Sequence, residues 1–381
     1  MKKILFRKLL LDCMTFFMIA LVSSSIVIWV FQAVNFLDIM IEDGRDFLVY
    51  INYSLLNFPK IFSKLFPFVL FFSLFYVTGK YEQNNELMIF WNFGVNKIQV
   101  INFFLKFSIL LLLIQIILTA FIVPSSQELA RFFLKDSKVN FFGNFIKKQK
   151  FNDTIKGVTI FSESKDEEGN LYNLYLKKEI KKSNFQITYA KRGVFRDINN
   201  TPILVLYDGE TITQKNDEIT NLSFSKSDFV LKSLETNTTT YAKTQEISTL
   251  NLFKCIGIIY ELDFKFKKIN NKKIPNCSVE NIKNILKEFY KRLIIPFYIP
   301  LLTLIPFVLI ILSKENINYN KLKILTFLIG LMIIIFSETT IRFVSDTITP
   351  NLKIVIIPFC LMFILYFIFL YNFKFFKTKK I

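Results

Sequence analysis

The chain has 381 residues, 52% hydrophobic and 17% aromatic, with a formal net charge of +18 and no histidine. The missing histidine excludes Ser–His–Asp and Cys–His nucleophilic catalysis and every metal site that needs an imidazole. The charge raises nucleic-acid binding as a first question. The basic residues argue against it: they gather at the ends of apolar blocks (Lys2, Lys3, Arg7, Lys8; Lys374, Lys377, Lys379, Lys380) or lie scattered among Asp and Glu.

A helix crosses a bilayer with about 20 mostly apolar residues. Blocks of that size run Cys13–Val34, Ile61–Thr78, Ile101–Val123, Leu293–Leu312, Ile324–Val344 and Ile354–Tyr371. The first is too long for a signal core, and no small-residue cleavage site follows it, so it is expected to remain as a helix. The loop after it is acidic, with Asp38, Glu42, Asp43 and Asp46 against Arg45. Lys60 and Lys64 mark the outer, interfacial beginning of the second block.

After the second block, the loop Gly79–Gly94 reads as carrying a short helix of about two turns. Asn85 suits an N-cap, Glu86 the positive first turn and Gly94 the helix end. Leu87, Phe90 and Trp91 then form an apolar knob. It either rests on lipid headgroups or docks in a groove on a partner.

The region from Pro124 to Tyr290 is polar throughout. Gln127–Asp136 and Ser278–Tyr290 read as flanking helices. Gly157–Phe161, Leu171–Leu176 and Ile203–Tyr207 read as strands, bounded by the turn formers Glu168-Gly169-Asn170, Asp197–Pro202 and Asp208-Gly209. Strands at this spacing predict an antiparallel sandwich or jelly roll with Val158, Ile160, Leu171, Leu174 and Leu204 inside. Cys255 and Cys277 could pair if this insert faces an oxidising space. Cys13 and Cys360 read as small apolar packing residues inside spans.

In the fifth block Glu338 and Arg342 stand at i, i+4 and are expected to share a helix face. They form either an ion pair near the outer interface, with Arg342 snorkelling, or a polar patch for an anionic lipid headgroup. Short loops set orientation by their Lys and Arg. The N-terminus, the loop with Lys314, Lys321 and Lys323, and the Lys-rich tail place both termini in the cytoplasm and the large insert outside. No GxxxxGK[ST] run exists, so any ATPase is another subunit.

These pieces together resemble the lipopolysaccharide-export permeases, the LptF/LptG family. The resemblance rests on Pro59 and Pro67 in span two, Gly79-Lys80, Asn85-Glu86 and Gly94 after it, and Glu288, Arg292 and Pro306 at the entry to span four. Gln32 and the Gly169–Leu176 run favour the LptF branch. Two departures stand out: Ala33, Asn35 and Phe36 where relatives carry basic residues, and bulky Phe90, Trp91 and Phe93 where smaller ones are common.

The resemblance implies a helical membrane protein of six transmembrane helices with an inserted all-β periplasmic jelly roll. Residues 1–126 would hold spans one to three with a coupling helix near 85–94, residues 127–290 the periplasmic domain, and residues 291–381 spans four to six. It implies a permease subunit of an ATP-driven exporter in a Gram-negative inner membrane, extracting lipopolysaccharide and passing it to a periplasmic bridge. The implied partners are a cytoplasmic ABC ATPase dimer, a homologous second permease, and a single-span bridge protein with its own jelly roll. No catalytic residue, metal or resident cofactor is implied, since the partner hydrolyses ATP. Glu86, Leu87, Phe90, Trp91 and Gly94 would couple to the ATPase. Gln32, Asn35, Glu338 and Arg342 would face the substrate cavity. The rival readings are another lipid exporter, such as a lipoprotein-release permease (whose large domain usually follows the first span), and a receptor or scaffold with an extracytoplasmic β-domain.

Overall fold

The computed structural model describes residues 2–41, 47–146, 148–155, 158–166, 170–181, 184–198, 201–215, 218–230, 243–260, 274 and 276–378. Apolar blocks become helices because a chain in hydrocarbon must satisfy its own backbone polar groups. The helices are α1 (Lys2–Ile41), α2 (Phe47–Leu56), α3 (Phe58–Gln83), α4 (Glu86–Asn92), α5 (Lys97–Ile117) and α6 (Val123–Phe145). Past the strands come α7 (Thr249–Ile259), α8 (Ile282–Leu293), α9 (Tyr298–Leu304), α10 (Tyr319–Thr339) and α11 (Ile348–Thr378). Among the described residues, 6 stretches are long and apolar enough to cross a membrane: Lys2–Leu37, Phe47–Gln83, Lys97–Leu134, Val279–Ile310, Tyr319–Phe343 and Pro350–Phe373. Each contains or largely overlaps one expected block.

The chain divides into two compact units. One comprises Met1–Phe31, Leu56–Glu128 and Ala242–Ile381, and the other Gln32–Leu55 and Leu129–Tyr241. In the first unit the fourth span is the central helix. Its apolar stretch is 72% buried, against 17% for the first span and 11% for the sixth. It is also the most broken, with 3₁₀ turns at Ile295–Phe297 and Ile305–Ile310 on either side of α9, where Pro296 and Pro306 sit. Around it Leu21, Leu70, Ile101, Phe104, Leu304 and Phe307 make one core, with the Phe104 and Phe307 rings 4.6 Å apart. Cys13 is buried as expected, whereas Cys360 is exposed on α11.

Two prolines free backbone carbonyls, and side chains from elsewhere satisfy them. Pro67 lies inside α3 and cannot donate to Ser63 four residues back. The buried Gln115 of α5 donates Nε2 to that Ser63 carbonyl at 2.8 Å. Pro124 follows a π-helical turn at Leu118–Ile122 and cannot donate to Ala120, whose carbonyl accepts the Thr249 hydroxyl instead. Pro59 sits in the first turn of α3, just past the break at Asn57 that separates α2 from α3, where a missing N–H costs nothing.

In the second unit, β1 (Phe151–Ile155), β2 (Val158–Lys165), β3 (Leu171–Lys181), β4 (Asn184–Ile198), β5 (Thr201–Lys215) and β6 (Glu218–Val230) pair antiparallel in chain order as one sheet. Val158, Ile160, Leu171, Leu174 and Leu204 all lie in its core, with Leu176, Ala190 and Leu206. Asp208-Gly209 is not a turn: β5 runs through it, pairing Gly209 with Ala190 and with Phe224. Asp208 and Asn173 instead hold left-handed backbone (φ 50° and 48°), which Asp and Asn tolerate. At that row the inward alternation shifts, so Leu171 and Leu174 of β3 are both buried, as are Ala190 and Gly193 of β4. Gly157 and Glu168-Gly169 lie outside the described residues.

Within the first unit, Cys255 of α7 and Cys277 form a disulfide, Cα to Cα 5.8 Å, beside a small core of Ile247, Leu252, Ile282 and Ile285.

Candidate functional site

The reversal between α3 and α4 passes through Asn85, whose φ of 60° is left-handed and whose side chain makes no capping bond. Glu86 opens the helix and accepts the Asn84 side-chain amide at 3.1 Å. At the other end Gly94 (φ 68°) closes it. The Val95 N–H bonds the Phe90 carbonyl and the Gly94 N–H bonds that of Trp91, each at 3.0 Å, which is the Schellman pattern. Lysines hold this end of the bundle: Lys2 Nζ donates to the Gly94 carbonyl at 2.9 Å and Lys314 Nζ to that of Gln83 at 3.0 Å. The Lys314 N–H also reaches Glu82 Oε1 at 3.1 Å.

The knob faces the opposite way from the sequence expectation. Leu87 and Phe90 are buried among Val77, Tyr81, Val95 and Ile101, and Trp91 is half-buried. Residues three and four apart share a helix face, so packing Leu87, Phe90 and Trp91 inward turns Met88 and Ile89 out, with Asn92 and Phe93. Leu87 and Phe90 therefore anchor α4 rather than present it. Gly94→Ala should destabilise the unit by about 1 kcal/mol through backbone strain alone, because no atom lies within 4 Å of the added Cβ. Thermal unfolding in detergent reads this, and an unchanged midpoint would mean the left-handed turn is dispensable.

At the entry to the fourth span Arg292 is 2% exposed, and its donors are met on every side. Nε bonds Glu288 Oε1 at 3.1 Å, Nη1 bonds the Ile247 carbonyl at 2.8 Å and Thr249 Oγ1 at 3.0 Å, and Nη2 bonds the Gln245 carbonyl at 2.9 Å. The Arg292 carbonyl in turn accepts the Thr119 hydroxyl at 2.7 Å. Arg292 thus ties α8 to the π-turn of the third span and to the 245–249 connector. Lys60 Nζ donates to Gln245 Oε1 at 3.4 Å, and Lys291 pairs with Glu288 at 3.8 Å. Lys291, Lys64 and Lys243, and the opposing carboxylate of Glu288, all lie close enough to act on the Lys60 charge. Lys60 thus adds a bond from α3 to the 245–249 connector, with lysines of α3 and α8 and Lys243 nearby.

Glu338 and Arg342 do not share an α-helical face. α10 ends at Thr339, and Thr340–Phe343 tightens to 3₁₀, which changes the angular spacing between the two. Both are exposed, and no ion pair joins them among the described residues. The turn carrying Arg342 is fastened to α8 by Tyr290 Oη donating to Thr340 Oγ1 at 3.1 Å. Gln32 (half-buried) and Asn35 (exposed) lie late in α1, within the second unit. The four residues are divided between the units, and neither unit alone brings them together. Pro306 is buried at the start of the 3₁₀ turn Ile305–Ile310.

Comparison with known proteins agrees with this architecture. The chain is 23% identical over 348 residues to an uncharacterised protein of Rickettsia prowazekii (strain Madrid E), RP871, covering 90% of this chain and 89% of that one. The family model for the lipopolysaccharide export system permease LptF/LptG matches residues 7–372, so six apolar helices, the inserted antiparallel sheet and nearly the whole sequence point the same way: this chain belongs to the LptF/LptG permease family.

Proposed function

We propose that this permease is one half of an ATP-driven exporter that extracts lipopolysaccharide from a Gram-negative inner membrane and hands it to a periplasmic bridge protein carrying a jelly roll. Both termini and α4 lie in the cytoplasm, and the sheet lies in the periplasm. A second, homologous permease completes the transmembrane pathway, with this chain in the LptF role. ATP is hydrolysed by a cytoplasmic ABC ATPase dimer beneath the pair. The observation that carries this reading is α4. It is anchored from within by Leu87 and Phe90, capped at Gly94, and turns Met88, Ile89 and Phe93 outward. Large apolar side chains fixed on a rigid helix are what a groove in a partner recognises. The Cys255–Cys277 disulfide supports the orientation, since disulfides persist in the periplasm and not in the cytosol.

For the anionic headgroup, the lysine group around Lys60 and the exposed Arg342 provide the positive charge, with Arg342 suited to bidentate phosphate contact. Gln32, Asn35 and Glu338 serve in this reading as polar cavity residues.

The test is isolation of the tagged chain in mild detergent. A second permease and an ABC ATPase should accompany it, and reconstituted vesicles should release lipopolysaccharide to an acceptor only with ATP. Reporter fusions after Lys80 and Lys314 should report cytoplasm, and fusions within the sheet periplasm. A cytoplasmic sheet, or a chain that brings down no ATPase, would overturn the proposal.

A further inference from the structure

Lys97 has an arrangement that helix stability does not account for. It is the first residue of α5, where a cation meets the positive end of the helix dipole. Its side chain does not return to its own helix. Nζ donates to the Ile310 carbonyl at 2.6 Å, at the end of the 3₁₀ turn that closes the fourth span. The same ammonium lies 5.6 Å from the Trp91 ring centroid of α4 and 5.6 Å from that of Phe373 in α11. Glu82, near the end of α3, is the facing carboxylate. One half-buried charge therefore touches the short helix, the most buried span and the last span, from the base of a further span.

We propose that Lys97 is a positioning residue that transmits displacement of α4 to the fourth and sixth spans. The inference rests on the reading of α4 as the ATPase-docking helix. Trp91 and Phe373 hold the ammonium by cation–π attraction, each contact individually weak. The Ile310 carbonyl is a helix-end acceptor with no further turn to satisfy it. If a docked ATPase shifts α4, the Trp91 face moves relative to the ammonium. Lys97 must then either follow, drawing the end of the fourth span with it, or leave Ile310 without its donor. That alternative gives the bundle two discrete arrangements, which is the physical requirement for coupling between distant sites.

The experiment compares the wild-type complex with Lys97→Met, Lys97→Arg and Phe373→Leu, each purified with its ATPase in detergent and reconstituted. Lys97→Met keeps the stem and removes the charge. It should retain the ATPase and its ATP turnover while lipopolysaccharide released per ATP falls about tenfold. Lys97→Arg restores a charged donor and should recover most of that ratio. If Lys97→Met fails to assemble, Phe373→Leu decides the matter, since it removes one arm and leaves the Ile310 bond. It should lower the ratio about threefold, within the range by which a single residue modulates coupling between sites. An unchanged ratio in the assembled Lys97→Met complex, or in Phe373→Leu where Lys97→Met does not assemble, overturns the role of Lys97 and leaves the docking reading standing. Absence of the ATPase from the wild-type preparation removes the docking reading and the inference together.

Discussion

Arg292→Met should cost the transmembrane unit about 3–5 kcal/mol, the range for breaking a buried ion pair from one side. Methionine keeps much of the length and all of the apolar stem, so the loss isolates the guanidinium. Glu288 would lose its 3.1 Å partner, and the carbonyls of Gln245 and Ile247 would lose their donors in a largely buried site. Thr249 would lose the donor to its hydroxyl oxygen while still donating to Ala120, so the disturbance reaches the π-turn of the third span. The check is the thermal unfolding midpoint in detergent, with Glu288→Gln as a milder comparison. A midpoint unmoved by Arg292→Met would show that the network is decorative. The double variant should be less damaging than the sum of the singles, because the two residues act as one group.

If α4 docks the ATPase as proposed, Ile89→Glu should lower affinity for it by about 30-fold or more, the effect of losing an apolar anchor at the centre of an interface, and leave the fold intact. Ile89 is 47% exposed on α4, so a carboxylate there stays solvated in the free permease and is desolvated only on docking. Phe90→Ala, one position on, is the contrasting case. Phe90 is 3% exposed inside the core, so its truncation should cost about 3–5 kcal/mol of stability. Co-purification and unfolding, measured on both variants, give opposite results if α4 is oriented as described. Two variants that both lose the ATPase without loss of stability would mean that Phe90, not Ile89, faces the partner. Glu86→Lys offers a gentler version, because Glu86 is half-buried and its charge sits at the first turn.

The membrane helices were legible because bilayer thickness imposes a length that composition cannot hide. Their ends were not. α1 begins at Lys2, well before the apolar block at Cys13, because the helix continues through charged residues once the core has nucleated it. The strands at Val158, Leu171 and Ile203 announced themselves by β-branched and aromatic runs, whereas β6 carries mostly polar and charged residues and gave little signal, and β4 showed only a short polar–apolar alternation at Asn184–Tyr189 before its charged residues. For α4 the caps were visible in Glu86 and Gly94. Its facing was not, since Leu87 and Ile89 are equally apolar and only the surrounding helices decide which turns inward. The Arg292 and Lys97 contacts were beyond reach for a different reason: most of their acceptors are backbone carbonyls, at Gln245, Ile247 and Ile310, which carry no side-chain signature.

The pairing of prolines with remote donors ties positions that are far apart in the chain into single units of inheritance. Pro67 frees an acceptor that Gln115 fills from 52 residues away at Ser63, and Pro124 frees one that Thr249 fills from 129 residues away at Ala120. A lineage that lost Pro67 would regain a main-chain donor while the Ser63 carbonyl and hydroxyl could still accept from Gln115, whereas one that lost Gln115 first would strand a buried carbonyl. Only the order that loses the donor first passes through a less stable intermediate. The prolines of spans two and three thereby fix the order in which these partners can be exchanged, and a designer who wishes to replace Gln115 or Thr249 must first replace the proline it serves.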